Sequence, residues 1–203
     1  RDVDFMDGIV HSPRDFILCL GSFVEEAPYT HRYLWEIYYR STRKREQDYL
    51  STYDYLFRYD RESFWISRNY GLEKMLLRLL AVPFALGSSR MLSLARRFPF
   101  LVGGLPDVAA DVLIPFAHMN AFFDWYLEVF SYFPLWILPF RFERMYPWIN
   151  PDFMGAIKDK LHIECGIYGF RQDGRRNYYK ALEEKTFELK GVKALISYNY
   201  YNE

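Results

Sequence analysis

Residues 111–130 read DVLIPFAHMNAFFDWYLEVF, a short apolar run followed by a longer segment with a different periodicity. DVLIP is typical of a strand that ends at a proline. In the segment 116–130, the apolar side chains recur at helical spacing: Met119, Phe122, Phe123, Tyr126, Leu127 and Phe130. The stretch therefore predicts a strand followed directly by a helix.

The remainder of the C-terminal half continues this alternation. The predicted elements are a strand at LWILPF (135–140), a strand at LHIECGIYG (161–169), a helix over 174–190 entered at Asp173 and left at Gly191, and a final strand at VKALISYNYY (192–201). Strand, helix, strand, strand, helix, strand is the order of a split unit in which two helices cover one face of an antiparallel sheet. We therefore predict an α+β fold of ferredoxin-like type, whose other sheet face is exposed unless another domain covers it.

The N-terminal part predicts further strands. VDFMDGIV and FILCLGSFV flank the turn-rich HSPRD, which predicts a hairpin over residues 3–24. Residues 29–45 fit either a strand leading into a basic loop or a short helix. Residues 55–61 alternate as in a strand that would extend the C-terminal sheet. The two predicted faces of that strand are Tyr55, Phe57, Tyr59 and Arg61 on one side and Leu56, Arg58 and Asp60 on the other.

Residues 69–104 differ from their surroundings, because they are rich in leucine and basic residues. Pro83 and the pair Gly103-Gly104 divide the segment into short helices, and the apolar run 76–86 is well short of the roughly 20 residues of a membrane span. The basic residues mixed into it are Lys74, Arg78, Arg90, Arg96 and Arg97. This mixture fits a helical insert packed on protein, or a peripheral helix lying on a membrane surface.

Composition restricts the classes of function. Lys plus Arg equals Asp plus Glu at 26 each, so the chain lacks the basic field that nucleic-acid binding requires, and we expect no nucleic-acid partner. Aromatic residues make up 20% of the chain, which suits a pocket or an interface, or simply a core rich in rings. The isolated Cys19 and Cys165 favour a reducing compartment, and we expect a cytoplasmic protein. The ends, Arg1 and YNYYNE, suggest a piece of a longer protein.

Motifs for common cofactors are absent from the sequence. The four histidines show no ligand spacing, so no metal site is expected, and the chain has no GxGxxG, phosphate-loop or GxSxG motif. In the predicted strand LHIECGIYG, His162 and Glu164 share a face that Gly166 and Tyr168 continue. These side chains are either an acid/base set or the ordinary polar residues of a wet face.

Residues 55–68, YLFRYDRESFWISR, contain five aromatic residues and three arginines. Three interpretations compete: a nucleic-acid platform, a half-buried strand with ion pairs on its wet face, and the wall of a pocket for a planar ligand. The balanced charge of the chain disfavours the first of these.

The same stretch resembles a known family. Its pattern is carried by Tyr55, Arg58, Arg61, Phe64 and Trp65, and a second pattern by Asp111, Pro115, Pro134, Trp136 and Pro139. Together they are similar to the delta-24 sterol reductases, the 24-dehydrocholesterol reductase group, and to their bacterial FAD-linked relatives. LHIECGIYG, the opening VDFMDGIVHS and the closing YNYYNE also fit, so the resemblance covers the chain from end to end.

The resemblance implies an enzyme of two parts, as in the vanillyl-alcohol-oxidase superfamily. An N-terminal domain binds FAD, and a C-terminal cap domain covers the flavin ring and forms the substrate site; residues 1–203 match the cap. The implied reaction is hydride transfer between FAD and a hydrophobic, isoprenoid or sterol-like substrate, with NAD(P)H as a candidate electron donor. Phe57 and Tyr59 stand where the sterol reductases carry histidines, so the substrate is expected to differ from theirs.

Candidate site residues follow from the resemblance and from the strand pattern. The candidate catalytic residues are Arg58, Tyr59, Glu164 and Tyr198, and the candidate substrate-binding residues are Tyr55, Phe57, Arg61, Trp65 and His162. The expected partners are the upstream FAD-binding domain, the hydrophobic substrate and, through residues 69–104, a membrane surface. The alternative is a non-catalytic binding or assembly domain that uses the exposed sheet face and the helical insert.

Overall fold

The computed structural model describes residues 3–81, 87–98, 107–147, 149–157 and 160–200. Within it the chain forms two compact units, one made of Val3–Leu20 with the chain from Val108 onward, the other of Gly21–Asp107. The predicted breaks at Pro83 and at Gly103-Gly104 lie outside the described residues.

The described residues contain six strands and seven α-helices. The strands are β1 Phe5–Ser12, β2 Asp15–Gly21, β3 Val108–Pro115, β4 Leu135–Arg141, β5 Leu161–Phe170 and β6 Val192–Lys193. The helices are α1 Tyr38–Ser41, α2 Thr52–Leu56, α3 Met75–Ala81, α4 Ser88–Arg97, α5 Met119–Val129, α6 Pro151–Ile157 and α7 Tyr178–Glu188.

All six strands form one sheet in the order β2-β1-β4-β5-β3-β6. β1 with β4, β4 with β5, β3 with β5 and β3 with β6 all pair antiparallel. The four C-terminal strands thus have the order expected of the split unit, which confirms the predicted α+β fold. The predicted hairpin is also confirmed, and it is this hairpin, not residues 55–61, that extends the sheet beyond β4.

One face of the sheet packs against helices α5 and α7. Buried side chains of both helices meet those of the strands in one apolar core: Val10, Val108, Ala110, Val112, Ile114, Phe122, Tyr126, Phe130, Leu135, Cys165, Ile167, Tyr178, Tyr179, Leu182 and Leu189. α5 follows β3 through a 3-10 turn over Phe116–His118, as its periodicity predicts. α7 begins after Asn177, whose side chain accepts a hydrogen bond from the Lys180 amide, so the predicted entry at Asp173 is wrong.

The other face of the sheet is covered at one end by α6, a helix that the sequence analysis did not predict. Met154 and Ile157 of α6 pack with Leu113 of β3 and with Phe142 in a second, smaller core. Leu113 belongs to this face because its neighbours Val112 and Ile114 point into the core of α5 and α7.

The last strand is much shorter than predicted. β6 contains only Val192 and Lys193, and residues further along the chain contact the Lys193 ammonium group. The Lys193 Nζ donates to the Tyr198 carbonyl at 2.9 Å and to the Asn199 side-chain oxygen at 2.6 Å, and lies 3.1 Å from Glu183 Oε1. Further hydrogen bonds hold this C-terminal segment. The Ala194 amide donates to the Asp111 carbonyl at 2.9 Å, the Ser197 hydroxyl donates to the Tyr179 hydroxyl at 2.8 Å, and the Tyr200 amide donates to Glu183 Oε2 at 2.9 Å.

In the second unit, the strand predicted over residues 55–61 is wrong. The Ser51 hydroxyl caps α2 by accepting a hydrogen bond from the Asp54 amide, so the chain is helical through Leu56 and then forms a 3-10 turn at Asp60–Glu62. The predicted alternating faces therefore do not exist. For residues 29–45 the sequence left open a strand leading into a basic loop or a short helix. The structure shows a short helix, α1, over Tyr38–Ser41.

The insert forms short helices, α3 and α4, as predicted for residues 69–104. Among the described residues no helix combines the length and the apolar character needed to cross a membrane.

Candidate functional site

Strand β5 presents a row of polar side chains on the face opposite α5 and α7. Cys165 and Ile167 point into the helix-covered core. Since side chains alternate along a strand, His162, Glu164 and Tyr168 point to the opposite face. The shared face of His162 and Glu164 is as the sequence predicts.

Gly166 creates the space in which the side chains of this face meet. It lies opposite Asp111 on β3 and opposite Trp136 on β4. A Cβ atom on Gly166 would lie 2.8 Å from a ring carbon of Tyr168, 3.1 Å from Asp111 Oδ1 and 3.3 Å from a ring carbon of Trp136. Three side chains thus converge over a residue that has none of its own.

Hydrogen bonds fix two carboxylates in this cluster. The Tyr168 hydroxyl donates to Asp111 Oδ1, and the Trp136 indole Nε1 donates to Asp7 Oδ2 at 2.9 Å. Asp7 is 1% exposed and Asp111 is 8% exposed. Each carboxylate is therefore held by an aromatic donor in surroundings that contain little water.

Burial shifts the protonation equilibria of these groups. Desolvation, with a smaller contribution from the negative charge of Asp111, raises the pKa of Glu164 from 4.5 to about 7. Desolvation also raises the pKa of Asp111, against the opposing effect of the Tyr168 hydrogen bond. The pKa of Tyr168 is raised by burial and by Asp111, so its phenol stays protonated and remains a donor. Glu164 is thus a carboxyl group that can give or take a proton near neutral pH.

His162 lies on the same face but is fully enclosed. It is 0% exposed, its Nδ1 lies 3.0 Å from the Lys160 carbonyl oxygen, and its ring meets that of Phe142 edge to face at 5.7 Å. Burial lowers the pKa of His162, so the imidazole is neutral at pH 7. His162 therefore belongs to the second core as well as to the row on β5. No group of three or more potential metal ligands occurs in the part of the chain that the structure describes.

Tyr198 is not brought to Glu164. Its ring packs against that of Tyr179 at 5.3 Å, and Tyr179 belongs to the core on the helix-covered side of the sheet. Tyr198 is 52% exposed.

The other six candidate residues lie together in the second unit. The Arg58 guanidinium is 3.9 Å from the ring centroid of Tyr55 and 4.6 Å from that of Tyr59, and its Nη1 donates to the Tyr55 carbonyl. Arg58 is 7% exposed, Tyr59 3% and Trp65 0%. The interleaved arginine and rings thus form a buried cation–π cluster. Phe57 is 45% exposed, and Arg61 pairs with Asp54 at 2.9 Å.

Asp111 was not proposed as a site residue from the sequence. Gly166 and Tyr168 were named only as continuing the face of the possible acid/base set, and not among the candidate catalytic or substrate-binding residues. A detectable indication was Asp111 itself, a carboxylate inside the otherwise apolar strand VAADVLIP. Tyr168 was indicated by its spacing of four residues from Glu164 on one strand. The role of Gly166 required the register of three strands.

No family model matches the chain, and no matching protein was found among the curated proteins or the solved structures.

Proposed function

We propose that this chain is the substrate-binding cap domain of an FAD-dependent oxidoreductase that transfers a hydride between FAD and a hydrophobic, isoprenoid or sterol-like substrate. The observation that carries the proposal is Glu164, a carboxyl group with a pKa of about 7 beside the Asp111–Tyr168 pair. The resemblance to the 24-dehydrocholesterol reductase group supplies the class of reaction. FAD would be held mainly by a domain upstream of this chain, with NADH or NADPH as the electron donor.

The described residues fit the substrate side of a flavin. Trp136 and Tyr168 offer partly exposed rings, and Glu164 offers a protonatable group on the same sheet face. When bound, FAD supplies or accepts the hydride. In the reduction of an alkene, one carbon of the double bond would receive the hydride, and Glu164 would give its proton to the other carbon and be left ionised. In the reverse direction Glu164 would accept that proton.

The proton step is assigned to Glu164 alone among the four candidates. Arg58 and Tyr59 are enclosed by aromatic rings, and the Tyr198 ring packs against Tyr179. Asp111 acts as a positioning residue, because its charge raises the pKa of Glu164.

The proposed location is the cytoplasm, with peripheral contact to a membrane through the insert. Neither Cys19 nor Cys165 forms a disulfide, which suits a reducing compartment. Leu76, Leu77 and Leu79 of α3 are exposed by 78%, 42% and 44%, which suits contact with an apolar surface.

A non-catalytic binding or assembly domain is the second candidate function. The edge strand β2 exposes three apolar side chains at alternate positions, Phe16, Leu18 and Leu20, each by more than half. Such a row on a strand at the edge of the sheet is suited to contact with another chain.

The FAD content of the purified product of the complete gene separates the two functions. We expect one FAD per chain, released on denaturation and identified by chromatography. We also expect Glu164→Gln to slow flavin turnover and to abolish its dependence on a group of pKa about 7, whereas the exposed Glu184→Gln control leaves both unchanged. A folded product without FAD would refute the enzyme and favour the binding domain.

A further inference from the structure

Asp111 and Glu164 are neighbours on the sheet face opposite α5 and α7, but they are buried to different extents. Asp111 on β3 lies opposite Gly166 on β5. Two residues away on each strand, Leu113 lies opposite Glu164, so the two carboxyl groups are diagonal neighbours. Asp111 is 8% exposed, whereas Glu164 is half-buried. Two carboxyl groups in such a position interact, and over a range of pH one of them is ionised while the other holds a proton.

Burial by itself favours a proton on Asp111. Removal from water disfavours the ionised form of a carboxyl group, and the penalty grows with the extent of burial. Asp111 is the more buried of the two groups. A proton on Asp111 would be almost closed off from a substrate, whereas Glu164 is partly open on the same face.

The Tyr168 hydroxyl opposes this effect of burial at only one of the two groups. It donates a hydrogen bond to Asp111 Oδ1, and a donor to a carboxylate stabilises the ionised form. Burial raises the pKa of Asp111, and the Tyr168 hydrogen bond acts against that rise. No hydrogen bond to the Glu164 carboxyl group occurs among the described residues. Tyr168 thus favours an ionised Asp111 beside a protonated Glu164.

The local structure of β5 allows Tyr168 to reach Asp111. Tyr168 lies opposite Ala109 and not opposite Asp111, so its side chain must lean along β5 to make this hydrogen bond. The ring passes over Gly166, where a Cβ atom would lie 2.8 Å from a Tyr168 ring carbon and 3.1 Å from Asp111 Oδ1. The contact therefore requires a residue without a side chain at position 166.

Other ionisable groups around this face have different surroundings. Asp7 on β1 accepts a hydrogen bond from an indole N–H at 2.9 Å. His162 on β5 is fully enclosed, and burial lowers its pKa, so it is neutral at pH 7. Asp152 in the first turn of α6 is exposed, and on β4 the apolar Leu138 lies opposite Glu164. In the described part of this face, the phenol hydrogen bond is what distinguishes the two carboxyl groups.

We propose that Tyr168 is a positioning residue: its hydroxyl keeps Asp111 ionised, so that the proton of the pair stays on Glu164, the carboxyl group that a substrate can reach. The use of that proton in a reaction rests on the proposed function. The placement of the proton does not, because it follows from the contacts of this chain alone.

Carbon-13 NMR of the full chain, with the aspartate and glutamate carboxyl carbons labelled, follows both ionisations between about pH 4 and pH 9. Asp111→Asn and Glu164→Gln assign the two signals. In the wild type we expect Glu164 to ionise last, with a midpoint at about pH 7. In Tyr168→Phe we expect the Asp111 midpoint to rise by about one pH unit or more, because its carboxylate loses a hydrogen bond. The Glu164 midpoint should fall, because its neighbour is then neutral over more of the range.

Tyr178→Phe is the matched control. It removes another phenol–aspartate hydrogen bond of the same unit, from Tyr178 to Asp173 at 3.0 Å, and should leave both midpoints unchanged. Gly166→Ala obstructs the path of the Tyr168 ring and should move the two midpoints in the same opposite directions as Tyr168→Phe. Circular dichroism checks that the variants are folded.

Two results would overturn the proposal. One is a pair of unchanged midpoints in Tyr168→Phe. The other is a fall of both midpoints together, as expected if the substitution only admitted water to the site. The titration needs no flavin, so a complete gene product without FAD would refute the proposed reaction and leave the placement of the proton unaffected.

Discussion

Replacing Glu164 by glutamine should change how the stability of the protein depends on pH. The pKa of Glu164 is raised from 4.5 to about 7 in the folded chain, mainly by burial. A proton is thus bound more firmly in the folded than in the unfolded state. The stability linked to this group is fully present below pH 4.5 and is lost as the pH rises to about 7. The shift of about 2.5 pKa units, at about 1.36 kcal/mol per unit, corresponds to about 3 kcal/mol.

Urea unfolding of the wild type and of Glu164→Gln, between about pH 4.5 and pH 8, measures this effect. As the pH rises across this range, we expect the free energy of unfolding of the wild type to fall by about 3 kcal/mol more than that of the variant, because glutamine has no charge to desolvate. Glu184→Gln, which removes an exposed carboxylate on α7, should follow the wild type. Asp111 is present in both proteins, so the difference measures the ionisation of Glu164 together with its interaction with Asp111. Parallel curves for the wild type and Glu164→Gln would show that folding does not raise the pKa of Glu164.

Further substitutions test the packing around the site and at the C-terminal end, with urea unfolding as the measurement. Gly166→Ala should destabilise the protein by about 1–3 kcal/mol because its Cβ would lie 2.8 Å from the Tyr168 ring, whereas Gly155→Ala in α6, where nothing lies within 4 Å, should stabilise it by about 0.5–1 kcal/mol. Equal effects at the two glycines would contradict the convergence of side chains over Gly166. Lys193→Met should cost about 3–5 kcal/mol because it leaves a buried carboxylate without its cation, and Lys180→Met, which breaks an exposed pair at 3.8 Å, should cost less than about 1 kcal/mol. A small cost at Lys193 would show that its ion pair does not hold the C-terminal segment.

The order of strands and helices in the first unit was predictable because its periodicities are local. The change from the strand DVLIP to a helical spacing within residues 111–130 gives both elements directly. Their order then allows few ways to cover an antiparallel sheet, so the ferredoxin-like arrangement follows.

Residues 55–61 show where that reasoning fails. Their alternation of rings and charges is as strand-like as that of β5, yet the Ser51 cap and the burial of Arg58 among tyrosine rings select a helical turn instead. One of those rings belongs to Tyr38, far from Arg58 in sequence. Contacts of this range are not visible in a local pattern.

The candidate site was predictable only where it depends on local periodicity. A period of two places His162 and Glu164 on one face, which the structure confirms. The pairing of Asp111 with Gly166 depends on the register between β3 and β5, which the sequence does not specify. The raised pKa of Glu164 depends on that register and on burial, so the property most relevant to chemistry was beyond sequence reasoning.

We propose that this chain places an ionisable carboxyl group, that of Glu164, at a flavin. The most direct measurement is the visible absorbance spectrum of the purified product of the complete gene, recorded as a function of pH for the wild type and for Glu164→Gln. We expect flavin bands in both proteins, with a pH-dependent shift whose midpoint is about 7 in the wild type and which is lost in the variant. A spectrum without flavin bands, or an identical pH response in the two proteins, would contradict the account.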